Sequence, residues 1–172
     1  MHAPDAFGAG DASRYAAHIY TQQVALMKTS VRNSIYINRS PEVVAGVLLD
    51  PSKVILWTSD LEKFEVISKE PGLVGSKARL HYVEGGRRYV MEDHLLEVEP
   101  NRRYLSRVSG DAIDAKVETF LKPAGTGTQI EVHWTGNGKH LLLKLILPFM
   151  RKNIARQAQK DLEKLKELVE SI

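Results

Sequence analysis

Two adjacent residues, Asp93 and His94, are the side chains in this sequence best placed to move a proton. They lie in a run that alternates apolar and polar residues, so successive side chains point to opposite faces and only one of the pair can face a core. A carboxylate or imidazole in an apolar hollow has a shifted pKa and can abstract a proton next to a carbonyl. Tyr82 and Tyr89 carry hydroxyls suited to steadying the resulting enolate oxygen, or to meeting the polar group of a ligand. A solvated or structurally hydrogen-bonded Asp93 or His94 and simply packed tyrosines would explain the same pattern. Other chemistries lack their residues. The sequence contains no cysteine, which removes disulfides, thiol nucleophiles and thiolate metal sites together. His81 and His94 fall on different strands without a third ligand at metal spacing, so no metal is expected, and no cofactor is called for. Gly136-Asn137-Gly138-Lys139 lacks the spacing and the following Ser/Thr of a phosphate loop and reads as a turn before a helix. No serine sits in a nucleophile-elbow context.

The elements that must position these residues are mostly strands. Val31, Ile35 and Ile37 alternate with Arg32, Ser34, Tyr36 and Asn38 in the first. Further strands are predicted near 63–69, 76–84, 87–98, 103–109, 115–121 and 128–134, separated by short Gly-, Pro- and Asn-containing turns that imply antiparallel neighbours. The Gly85-Gly86 turn fixes one register: a two-residue loop pairs Glu84 with Arg87, Tyr82 with Tyr89, Leu80 with Met91 and Arg79 with Glu92. Ala78, Leu80, Tyr82, Tyr89, Met91, Asp93 and Leu95 then share the inner face, while Arg79, His81, Arg88, Glu92 and His94 face outward. Leu96, Val98 and Leu105 fall in the outer phase unless a β-bulge near Glu92 to His94 flips the alternation, in which case His94 points inward in place of Asp93.

Between the first two strands, Ser40-Pro41 marks a helix start, and Asp50-Pro51 ends that helix and begins a second short one over Ser52 to Trp57. At the other end of the chain, Leu143, Leu147, Met150, Ile154, Ala158, Leu162, Leu165, Val169 and Ile172 recur at helical spacing, with Asp161/Lys164 and Glu163/Lys166 on the far side. Pro148 is expected to kink or divide this helix. A curved antiparallel sheet with one long helix across it is an α+β arrangement that leaves a hollow between the two layers. Its expected lining is Trp57, Leu80, Tyr82, Tyr89, Met91 and Trp134 facing Leu147, Met150, Ile154 and Ala158.

Composition sets the outer bounds. At 172 residues with 43% hydrophobic and 26% charged content, the chain suits one domain with a real core. Residues 1–26 are unlike the rest and read as a loosely attached arm, with the domain over 27–172. No apolar run approaches the ~18 residues of a membrane span, and the first residues lack the features of a signal peptide, so a soluble, cytoplasmic protein is expected. The net charge of +3 conceals an asymmetry. From Thr135 to Lys160 there is no acid, while Lys139, Lys144, Arg151, Lys152, Arg156 and Lys160 are interleaved with leucines, Phe149 and Met150. This stretch is expected to make weak contact with an anionic membrane surface. No specific nucleic-acid binding is expected, and the oligomeric state is left open.

The order of these pieces resembles the START-like superfamily of helix-grip proteins, which includes the major birch pollen allergen, polyketide cyclase/dehydrase-like proteins and lipid transfer domains. The resemblance covers about residues 29–172. It rests on Ser40-Pro41-Glu42, the wedge from Asp50-Pro51 to Trp57, and Glu70-Pro71-Gly72-Leu73-Val74-Gly75-Ser76 leading into a strand. Further along, Leu96-Glu97-Val98-Glu99-Pro100 ends a strand, Gly125-Thr126-Gly127-Thr128 opens the last one, and Asp161-Leu162-Glu163-Lys164-Leu165-Lys166 lies in the final helix. It implies a helix-grip fold and one of three function classes: binding or transport of a lipid or other apolar small molecule, a cyclase/dehydrase-like enzyme with an inward Asp or His as base, or a co-chaperone-like interaction module.

Overall fold

The computed structural model describes residues 28–172. The expected arm and the boundary at Met27 therefore lie outside the described residues. Within them the strands are β1 (Thr29–Ile37), β2 (Leu61–Ser68), β3 (Lys77–Glu84), β4 (Arg87–Glu99), β5 (Arg103–Ser109), β6 (Ile113–Ala124) and β7 (Gly127–Gly138). The helices are α1 (Pro41–Leu48), α2 (Pro51–Trp57) and α3 (Leu141–Glu170). All strand pairs are antiparallel, in the order β1-β7-β6-β5-β4-β3-β2. Hairpins link β2 through β7, and α1 and α2 carry the chain from edge strand β1 to the opposite edge, β2. Among the described residues no helix is long and apolar enough to cross a membrane.

The two short helices form where proline fixes the first turn. Asp50 caps α2, its carboxylate accepting from the Ser52 backbone N–H at 3.0 Å and from the Ser52 hydroxyl at 2.6 Å. Ser40 occupies the equivalent position before α1, yet its side chain makes no capping bond to the helix.

The main core joins three layers. Ile37, Tyr104, Leu121 and Ile130 of the sheet pack against Leu162, Leu165 and Val169 of α3 and Val44, Ala45 and Val47 of α1. A second cluster unites Val54, Leu61 and Leu80 with Trp57, Phe64, Tyr82 and Met91. Trp57 touches both clusters.

Helix α3 is pinned off-centre. Asn33 of β1 donates to the Ala155 carbonyl and to Gln159 Oε1, both at 3.0 Å, and Lys166 donates to the Tyr36 carbonyl at 2.9 Å. The loop after α2 supplies the second anchor: Ser59 N–H donates to Asp161 Oδ1 at 2.9 Å, and Lys164 Nζ to Ser59 Oγ at 3.0 Å. The helix consequently runs against β1 and β7 and touches α1 and α2. It continues through Pro148 as a single element, so of the two expected effects, a kink or a division, the division does not occur. Asp161, expected on the solvent side, instead turns toward Ser59, whose backbone N–H needs an acceptor at the end of α2.

The sheet corrects two further expectations. Strand β7 extends through Gly138, so Gly136-Asn137-Gly138 is strand where a turn is predicted. Glycine is required there by crowding: a Cβ on Gly136 would overlap the Trp134 indole, and one on Gly138 would come within 2.7 Å of the Lys144 backbone nitrogen. The irregularity in β4 falls between Leu95 and Glu97 rather than near Glu92 to His94.

Candidate functional site

Strand phase decides which of the two candidate acid–base residues faces the helix. The register read from Gly85-Gly86 is the observed one, with Tyr82 opposite Tyr89, Leu80 opposite Met91 and Ala78 opposite Asp93. Because the bulge comes after Leu95, nothing flips the alternation before it, and Asp93 shares the inner face with Leu80 and Tyr82. On β5 its partner is Val108, with Ser106 one inner position further on. His94 lies on the outer face between Lys77 and Arg107. His81 is also outward, 3.1 Å from Glu65. After the bulge the phase is reset, so that Val98 rejoins the main core while Leu105 stays on the outer face, buried between its partners Glu97 and Glu118.

The neighbourhood of Asp93 is apolar and incompletely paired. Its Oδ1 is buried without a hydrogen-bond partner. Burial pushes its carboxyl above the usual carboxylate range, and the Ser106 hydroxyl and the nearby His94 pull the other way without prevailing. Trp57 Nε1 is likewise buried and unpaired. The Tyr82 and Tyr89 rings stack at 5.2 Å with an interplanar angle of 15°. Burial raises the Tyr82 hydroxyl pKa first of all, and the charges of Asp161 and Asp93 add to it. Tyr89, also affected first by burial and then by Glu84, is pushed up to about 12. Its hydroxyl donates to Glu84 Oε2 at 3.3 Å from the rim.

The expected lining is only partly gathered. Trp57, Leu80, Tyr82 and Met91 meet in one cluster. Trp134 faces inward on β7, opposite Val31 and Val117, with its indole over Gly136. Leu147 is fully buried, Ile154 and Ala158 are half-buried, and Tyr89 and Met150 are exposed at 41% and 38%. Because α3 packs toward β1 and β7, the inner surface of β3–β5 lies outside the main contacts of the helix, and Tyr82, Met91, Asp93, Ser106 and Val108 stay half-buried on it. The sequence reading missed Ser106 and Asp161. Ser106 alternates correctly with Tyr104 and Val108, so strand phase alone could have found it.

A separate cleft on the outer face is lined by Arg32, Arg103, Leu105, Lys116, Glu118 and His133. Arg103 is already committed there, its Nε donating to Glu118 and its Nη1 to Glu97, both at 2.6 Å.

Residues 28–170 match the family model for polyketide cyclase / dehydrase and lipid transport. The chain belongs to that family. Solved structures share its helix-grip fold. The Zhui aromatase/cyclase from a Streptomyces species is similar at 15% identity, with 83% of this chain and 94% of that one covered and a TM-score of 0.71. A protein of Thermus thermophilus is similar at 22% identity, covering 81% and 96%, with a TM-score of 0.68. Ara h 8.0201 is similar at 16% identity, covering 84% and 99%, with a TM-score of 0.66. At these identities the likeness is one of fold. Comparison with curated proteins gave no match.

Proposed function

We propose that this family member binds and carries an apolar small molecule in the groove between the inner face of β3–β5 and α3. The observation that carries this reading is the apolar surface of buried Leu80 and half-buried Tyr82 and Met91, which lies outside the main contacts of the helix and where Asp93 Oδ1 and Trp57 Nε1 lack partners. Apolar walls with a few unpaired polar groups are what a small-molecule site presents. Titration with Nile red tests it: the protein should enhance the dye's fluorescence saturably, and Ala158→Trp, which fills the half-buried helix face, should abolish the signal while the thermal transition persists. An absence of saturable binding by the intact protein overturns the reading.

Delivery would use the first half of α3. There Leu141, Leu142, Leu145, Ile146 and Phe149 are exposed, Phe149 at 87%, and Lys144, Arg151 and Lys152 lie among them. Exposed apolar residues set among cations suit an anionic lipid surface. Binding to anionic vesicles should fade with salt and with Lys144, Arg151 and Lys152 changed to Gln; equal recovery on neutral vesicles discards this contact.

The inward, desolvated Asp93 also favours a second reading, a cyclase/dehydrase-type reaction with its carboxylate as base and Tyr82 steadying the enolate oxygen. Loss of a detected turnover in Asp93→Asn with ligand still bound is its expected mark.

A further inference from the structure

We infer that the groove selects an apolar ligand whose polar group is a hydrogen-bond donor, an alcohol or an amine, and rejects carboxylates and phosphates. The inference rests on the carrier reading above and concerns the chemistry of the ligand's head. Taking the observed registers strand by strand, the inner face of the sheet carries Val31, Asn33, Ile35 and Ile37 on β1, Thr128, Ile130, Val132 and Trp134 on β7, and comparable apolar or hydroxyl residues on β5 and β6. On β3 it carries Ala78, Leu80, Tyr82 and Glu84, and on β4 Arg87, Tyr89, Met91, Asp93 and Leu95. Glu84 and Arg87 face each other at the exposed tip of that hairpin. Away from the tip, Asp93 is the one acidic or basic side chain of the face among the described strands, and no lysine or arginine shares it there.

The walls do not supply the missing cation. Trp57 contributes an indole. On α3, Asp161 adds a second carboxylate, close enough to act on Tyr82, and Lys164 is occupied with Ser59 Oγ at 3.0 Å. The cations of β3 and β5, Lys77, Arg79, Arg103 and Arg107, alternate to the outer face, where Arg79, Arg103 and Arg107 pair with Glu92, Glu118 and Asp114. An anionic head entering the groove would lose its hydration and meet like charge in a poorly screened setting. A hydroxyl or ammonium can instead donate to the unpaired Asp93 Oδ1. The selection runs opposite to the net charge of +3, which by itself would favour anions.

Displacement of Nile red from the full chain at pH 8 tests the inference, using dodecylammonium, dodecanol and dodecanoate below their aggregation limits. The two ions have the same chain and both shed a hydrated charge, so their ratio isolates sign. Dodecylammonium should displace the dye at least about tenfold more effectively than dodecanoate, a difference of roughly 1.4 kcal/mol. Asp93→Asn, which keeps the shape, should bring the ratio below about threefold, with dodecanoate gaining. Equal displacement by the two ions in the unaltered protein overturns the inference, as does a ratio that Asp93→Asn leaves intact. Failure of Nile red to bind sinks the carrier reading instead, so the two outcomes are distinguishable.

Discussion

Replacing Asp93 should make the protein more stable, the reverse of what a structural carboxylate would do. Its Oδ1 is buried without a partner, and burial raises its pKa. An unsatisfied buried polar group costs about 1–3 kcal/mol. Leucine is somewhat larger than aspartate, and its neighbours Met91 and Val108 are only half-buried, so Asp93→Leu should gain about 1–2 kcal/mol near pH 7. For a chain of this size that raises the melting temperature by roughly 3–6 °C. Asp93→Asn separates charge from shape. A carboxyl whose folded pKa lies above its unfolded value binds more protons in the folded state between the two values, so its contribution to stability is fully present below the unfolded pKa, about 3.9, and is lost as pH rises through the folded pKa. The stability advantage of Asp93→Asn over the unaltered protein should thus be absent below about pH 4 and grow as pH rises. Urea unfolding across pH, monitored by tryptophan fluorescence, measures it. If both variants lose stability at pH 7, the contact with Ser106 outweighs the unpaired oxygen, and the assignment of Asp93 to ligand falls with that result.

The packing predictions are simpler. Leu165→Ala, at a fully buried site between α3 and the sheet, should cost about 2–5 kcal/mol in denaturant unfolding, whereas Phe149→Ser, on the exposed start of the same helix, should stay within about 0.5 kcal/mol. Gly127→Ala should destabilise by at least about 2 kcal/mol, because the new Cβ would sit 2.2 Å from the Ile37 carbonyl oxygen and 2.6 Å from the Tyr36 hydroxyl, and the backbone of the paired strand cannot yield; an unshifted denaturation midpoint would refute the crowding argument.

Much of this arrangement was legible in the residues. The Gly85-Gly86 turn fixed the β3–β4 register, since a two-residue loop permits one pairing and the positive φ of both glycines meets the demand of that turn. Helix α3 was visible from its spacing, and α2 from Asp50-Pro51. Where the helix would lie was not, because its lateral position depends on Asn33, Ser59 and Asp161, residues that a hydrophobic pattern treats as surface. The same blindness put Asp161 on the wrong side and assigned Met150 to a wall where it is exposed. The bulge was foreseen in kind and misplaced by a few residues. The slip falls at the adjacent pair Leu95-Leu96, where Leu96 is left without a ladder partner.

That slip is what lets one strand serve two purposes. Before it, β4 follows the phase set at the hairpin and presents Met91 and Asp93 to the groove; after it, Val98 packs into the main core beside Tyr104. A regular strand would have to give up one or the other: keeping Val98 inward without the extra residue would turn Asp93 out and His94 in, beneath Ala78 and Val108 where no partner awaits an imidazole. The cost of an unpaired ladder position at Leu96 is small beside the loss of a core valine or the burial of a histidine. The bulge thus couples the stable end of the sheet, gripped by α1 and the second half of α3, to the open end where the carboxylate stands. The position of Asp93 is therefore a consequence of where the core must close, and a binding group acquired this way needs no loop to hold it.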